Sequence, residues 1–119
     1  MERTVTAHEA AVVGWLLDNA PFDDVTPYRR QPLEALHVFE GCDCGCFSLH
    51  FQPRGRGGIR MIADSLAVYP DGQQANLILW GHDGEIVWLE VNGFDPRAPH
   101  RFPEISNLRT WEQDGLELP

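Results

Sequence analysis

Residues 75–91, ANLILWGHDGEIVWLEV, set two apolar runs on either side of the short loop His82-Asp83-Gly84. In the first run Leu77 and Leu79 alternate with Ile78 and Trp80. In the second, Ile86 and Trp88 alternate with Val87, Leu89 and Val91. Strands that are apolar in both directions have to lie in the middle of a sheet or be covered on both faces. Asp-Gly between two such runs is a strong hairpin signal. The chain must therefore build a sheet around this hairpin, and the other segments fall into place beside it. Residues 59–69 read as a further strand, joined to the hairpin through the turn Pro70-Asp71-Gly72.

The N-terminal segment follows a different period. Thr6-Ala7-His8-Glu9 has the form of a capping box, and Ala10, Val13, Leu16 and Leu17 recur at helical spacing until Asn19-Ala20-Pro21 supplies a stop. The spacing predicts a helix over residues 7–19. Residues 22–32, with Pro27 and Pro32, read as an irregular connection. From Leu33 the period moves toward two: Leu36 and Val38 share one side, and Phe47, Leu49 and Phe51 alternate with Ser48 and His50, giving strand, tight turn, strand. Residues 93–119 carry Pro96, Pro99, Pro103 and Pro119, so this tail is expected to wrap irregularly over the sheet, with at most one helical turn near residues 106–111. The expectation is one α+β domain over 1–119: an N-terminal helix packed on a mostly antiparallel sheet of about five strands, with an irregular Pro-rich C-terminal tail. Trp15, Trp80 and Trp88 are expected in its core.

Charge narrows the partners. The net charge of -9 over 119 residues works against a phosphate backbone or an anionic membrane, both of which attract Lys and Arg, and favours a basic protein partner. No run approaches the roughly 20 apolar residues of a membrane span, and Met1-Glu2-Arg3-Thr4 has no basic region leading into an apolar one. The expected setting is the cytoplasm.

All three cysteines fall in GCDCGCFSLHF, residues 41–51. An odd number crowded at alternate positions makes a poor disulfide framework. On a straight strand the outer two Cα atoms would lie about 13 Å apart, too far for one tetrahedral ion with Zn–S bonds of about 2.3 Å. A zinc site thus needs a bend, which Gly41 and Gly45 permit; Cys42, Cys44 and Cys46 would then be ligands with His50 as the fourth, or His37, His8, His82 or His100 in its place. A redox role is opposed by Glu40 and Asp43, whose charges disfavour thiolate. The plainer reading puts Cys44 and Gly45 at the hairpin turn and packs Cys42 and Cys46 as small apolar residues. That reading implies no cofactor; zinc is the alternative.

No catalytic set emerges elsewhere. Asp64 and Glu90 sit among apolar residues, yet no nucleophile or fixed histidine accompanies them, and solvent-facing or turn-capping roles suit them better. Ser48 and Ser65 lie in no G-x-S-x-G context. The loop RGRGG lacks the Lys-Ser/Thr ending of a phosphate-binding loop, so Arg54, Arg56 and Arg60 read as a solvated patch. His8 and His37 read as surface or boundary histidines. The function that remains is non-catalytic binding through acids carried on loops and hairpin ends: Asp23, Asp24, Glu40, Asp43, Asp83 and Glu85.

The layout also resembles a family of small bacterial proteins. The residues that carry the likeness are Trp15-Leu16-Leu17, Leu33, Leu36 and Val38, Cys42, Cys44-Gly45-Cys46 and Ser48, Ala63-Asp64, Gly84, Ile86, Leu89-Glu90-Val91 and Phe102-Pro103-Glu104. Some members are encoded near polymorphic-toxin or immunity genes, and the family has no established activity. The resemblance implies this fold and a bacterial cytoplasm, and it transfers no catalytic residue; an immunity-type neutraliser is one form of the binding protein expected from charge, size and the missing catalytic set.

Overall fold

A computed structural model describes residues 3–20, 25–30, 32–41, 49–51, 58–93 and 102–110. Its first helix, α1 (Ala7–Asp18), begins where the capping box requires: the Glu9 amide donates to Thr6 Oγ1 at 3.1 Å and the Thr6 amide donates to Glu9 Oε1 at 2.9 Å. Two first-turn donors are satisfied in this way. Arg3 reaches over the same turn and donates to both carboxylate oxygens of Glu9 at 2.8 Å. Burial opposes ionisation of Glu9, but the donors of Arg3 and Thr6 outweigh it and hold the carboxyl below its ordinary range. At the other end the Asn19 amide closes the last turn on the Trp15 carbonyl, and Arg29 donates to the Leu17 carbonyl at 2.7 Å. Arg29 belongs to α2 (Thr26–Arg29), a four-residue helix inside the segment expected to be irregular. Pro27 fits there because the first turn of a helix needs no amide donor from it.

Residues 33–35, expected to open a strand, instead form a 3-10 turn (Leu33–Ala35) closed by bonds from Ala35 to Pro32 and from Leu36 to Leu33. Glu34 and Ala35 have low strand preference, and local bonds win. Extended structure starts at β2 (His37–Val38), which pairs antiparallel with β1 (Arg3–Thr4) in a small two-stranded sheet. Phe39 then donates to the His50 carbonyl. Next, β3 (Glu40–Gly41) pairs antiparallel with β4 (Leu49–His50), so the two ends of the cysteine-bearing stretch lie side by side as a strand-turn-strand unit requires. Residues 42–48 themselves are outside the described residues.

The main sheet is completed by β5 (Arg60–Val68), β6 (Gln74–His82), β7 (Glu85–Gly93) and β8 (Leu108–Arg109), in the order β3-β4-β7-β6-β5-β8 with every neighbour antiparallel. The hairpin of doubly apolar strands is thus central, as its sequence demands. Its turn has φ of 49° at Asp83 and 81° at Gly84. Two consecutive left-handed residues make the tight turn whose twist suits a two-residue hairpin, and Asp-Gly adopts it at least cost. The tail is more regular than expected in its described part: Phe102 and Pro103 meet His8 of α1, a 3-10 turn covers Ile105–Asn107, and β8 adds to the edge of β5.

One face of the sheet carries α1. Val12, Val13, Leu16 and Leu17 pack on Ala63, Ala67, Leu77, Leu79, Leu89 and Val91 in a single aliphatic core. The tryptophans are not its centre. Trp15 packs at the rim, and Trp80 and Trp88 are only partly buried on the opposite face. Alternation explains this: Trp80 shares its side of β6 with Asn76, and Trp88 shares its side of β7 with Glu90 and Asn92. No helix among the described residues is long and apolar enough to cross a membrane.

Candidate functional site

The face away from α1 is organised by register. His50 pairs with Trp88, Trp88 with Trp80, and Trp80 with Met61, so four neighbouring strands contribute one row of side chains to the same surface. Directly paired residues on one face stand close enough for their side chains to touch, and here the rings stack. His50 and Trp88 lie 5.2 Å apart at 9°, and Trp88 and Trp80 lie 6.0 Å apart at 18°. Two register shifts flank this row, one at Ile62 between Met61 and Ala63 and one at Val87 opposite the Trp80/Gly81 step. Bulges of this kind re-aim side chains. Without them Met61 and Trp88 would not both oppose Trp80.

The next row along the strands is Glu90, Ile78, Asp64. Both acids accept a hydrogen bond from this face: Trp80 Nε1 donates to Glu90 at 3.0 Å, and Asn76 Nδ2 donates to Asp64 at 2.6 Å. They stand two strand spacings apart, about 10 Å, so they do not share a proton as a catalytic carboxylate pair would. Trp88 Nε1 is buried and has no hydrogen-bond partner among the described residues. At its Leu66 end the face is closed, Leu66 being fully buried; along the tryptophan row it is open enough that Met61 retains 36% exposure.

At the tip of the β6–β7 hairpin, Asp83 and Glu85 are exposed, with the Asp83 side chain at 87%. His82 turns back between them and the preceding strand: its Nδ1 lies 2.8 Å from the Gly58 carbonyl and its Nε2 lies 3.3 Å from Asp83. A cavity of about 650 Å³ opens beside it, lined by Tyr28, Arg60, His82 and Asp83 among others. Ser65 lies in the core, 1% exposed, and its hydroxyl has no hydrogen-bond partner among the described residues.

Of the residues singled out from the sequence, Asp83 and Glu85 therefore share one tip, and His50 belongs to the ring stack. Glu40 is paired with His50 across β3 and β4. Asp23, Asp24, Asp43, Cys42, Cys44 and Cys46 lie outside the described residues. What the sequence reading missed is the His50-Trp88-Trp80-Met61 row. The alternation of Trp88 with Glu90 and Asn92 was the available signal, since it sends the ring to a face that also carries polar groups. No family model matches this chain, and no curated protein or solved structure matches it either.

Proposed function

We propose that the chain is a non-catalytic binding protein that presents an acidic surface to a basic protein partner. One observation carries this reading: the net charge of -9 coincides with carboxylates placed on the exposed tip of the central hairpin, at Asp83 and Glu85. Excess charge of one sign steers a complementary partner and matters most for association rate. The immunity-type form of this role is supported by the charge and the small size of the chain, the bacterial cytoplasm rests on the family resemblance, and a nucleic acid is disfavoured by the same charge.

The test is to identify the protein that co-purifies with this chain at low ionic strength and to measure its affinity as salt is raised. Affinity should fall between low and physiological ionic strength, and Asp83→Asn with Glu85→Gln should slow association. A partner whose binding is indifferent to salt would end the proposal.

A small zinc-binding protein is the second reading. Its support is the β3–β4 pairing, which holds His50 at the foot of the connection carrying Cys42, Cys44 and Cys46. Metal analysis of protein purified without chelator, compared with Cys44→Ser and Cys46→Ser, decides it: zinc near one equivalent that is lost in both variants supports the site, and a negligible content in the parent removes it.

A further inference from the structure

We infer that the surface beside Trp80 receives an arginine side chain of the partner, stacked on the indole and held by the Asp64 carboxylate of the adjoining row. The inference rests on the acidic-surface reading and gives that partner a recognition element. In the stack, Trp88 has a ring on each side, His50 on one and Trp80 on the other. Among the described residues, Trp80 has a ring, Trp88, on one side. On the β5 side of Trp80 the register places Met61, at 36% exposure. A flat cation can lie against the ring on that side while its aliphatic stem runs over the Met61 thioether.

The electrostatics of the spot favour a cation. The Trp80 N–H donates to the Glu90 carboxylate, which fixes the ring's orientation and pushes electron density toward its π face, the part that attracts cations. Asp64 stands one row along on the Met61 strand. Its Oδ1 accepts from Asn76, and a carboxylate retains further acceptor sites beyond one such bond. Arginine suits this better than lysine because its planar guanidinium stacks on an aromatic face and can bridge to a carboxylate at the same time. A phosphate-bearing ligand, which could also stack a base on tryptophan, would have to approach two carboxylates.

The experiment titrates the full chain with an arginine homopeptide at low ionic strength, reading both tryptophan emission and heat, beside a lysine homopeptide of equal length and a thymidine oligonucleotide. The arginine peptide should quench emission and bind more tightly than the lysine peptide. Trp80→Leu should weaken it by roughly two- to thirtyfold, the span of cation–π attraction from exposed to desolvated sites. Met61→Lys, a change at an exposed position that leaves the core untouched, should weaken it similarly and keeps the test valid if Trp80→Leu does not fold. Salt-sensitive binding that is unchanged in both variants and equal for the two peptides overturns the Trp80 site and leaves the acidic-surface reading standing. No binding of either basic peptide overturns both. Quenching by the oligonucleotide in place of the peptides overturns the choice of a basic partner.

Discussion

Gly81 is the position where a single added carbon should be felt most. A Cβ built there would stand 2.5 Å from Tyr28 Cε1, 3.0 Å from Tyr28 Cζ and 3.1 Å from Ile62 Cδ1. Carbon atoms prefer separations of about 3.5–4.0 Å, so the Tyr28 ring would have to retreat by about 1 Å. It has little room, being 2% exposed between α2 and the sheet. Gly81 does not have a left-handed backbone, so the cost of Gly81→Ala is steric. Overpacking of this kind costs about 1–3 kcal/mol, and alanine's lower chain entropy in a strand offsets about 0.5–1 kcal/mol of it. A net loss of about 1–2 kcal/mol divided by a urea slope of about 1–3 kcal/mol/M predicts a midpoint lowered by about 0.3–2 M. Repeating the substitution in a Tyr28→Leu background, where the ring atoms are gone, should abolish the loss. The same drop in both backgrounds would trace the effect to the neighbouring bulge and refute the contact. An unchanged midpoint in the parent background would refute the packing of Tyr28 on the strand.

Arg3→Ala should lower stability by about 0.5–1 kcal/mol at neutral pH, the discounted worth of a pair whose arginine is well exposed. Because the folded protein holds the Glu9 carboxyl below its ordinary value of 4.5, the stabilisation is present above that value and is lost as pH falls through the lower, folded one. Parent and variant urea midpoints should therefore converge on acidification, and a gap that persists or widens in acid would contradict the pair. Ser65→Ala should hold or raise stability, by up to about 1 kcal/mol, because the Ser65 hydroxyl is buried without a hydrogen-bond partner among the described residues; a fall of similar size in denaturant melts would mean that the hydroxyl has a partner after all. Leu79→Ala, at a fully buried position, should cost about 2–5 kcal/mol. Trp80→Leu, on the partly exposed face, should cost clearly less in the same assay, and equal losses would show that both faces are equally closed.

Much of the fold was legible because its strongest signals are local. The capping box at Thr6 and Glu9 fixed the start of α1, and the Asp83-Gly84 turn fixed the central hairpin, each through a few residues whose chemistry is decided over one turn. The two-residue strands β1 and β8 carry no such signal. They are extended because another segment pairs with them, Arg3 with Val38 and Ala67 with Leu108, and pairing partners are a tertiary fact. The tryptophans were misplaced for a related reason. Trp80 and Trp88 read as core because size and apolarity were weighed above their alternation with Asn76, Glu90 and Asn92. The exposure of the hairpin tip at Asp83 and Glu85 follows from its turn chemistry and could be read directly. The Met61-Trp80-Trp88-His50 row could not, since it depends on the bulges at Ile62 and Val87, which break the alternation that a reader would extrapolate along each strand.

Those bulges also explain how one sheet supports two unlike surfaces. Toward α1 the strands present Ala63, Ala67, Leu77, Leu79 and Leu89, a mainly aliphatic set with Ser65 buried among them. A strict alternation would leave the other side as an ordinary solvated face. Inserting one residue in each strand beside Trp80 instead brings three rings and a methionine into register at a single level, with hydrogen-bonded carboxylates at the next. The helix-covered face supplies the burial that folding requires. In the proposed reading the tryptophan face uses its partial exposure for recognition, where a large ring with few rotatable bonds loses little entropy on binding. A substitution that disturbs the second face while sparing the first should consequently separate binding from stability, as the paired effects of Trp80→Leu and Leu79→Ala require.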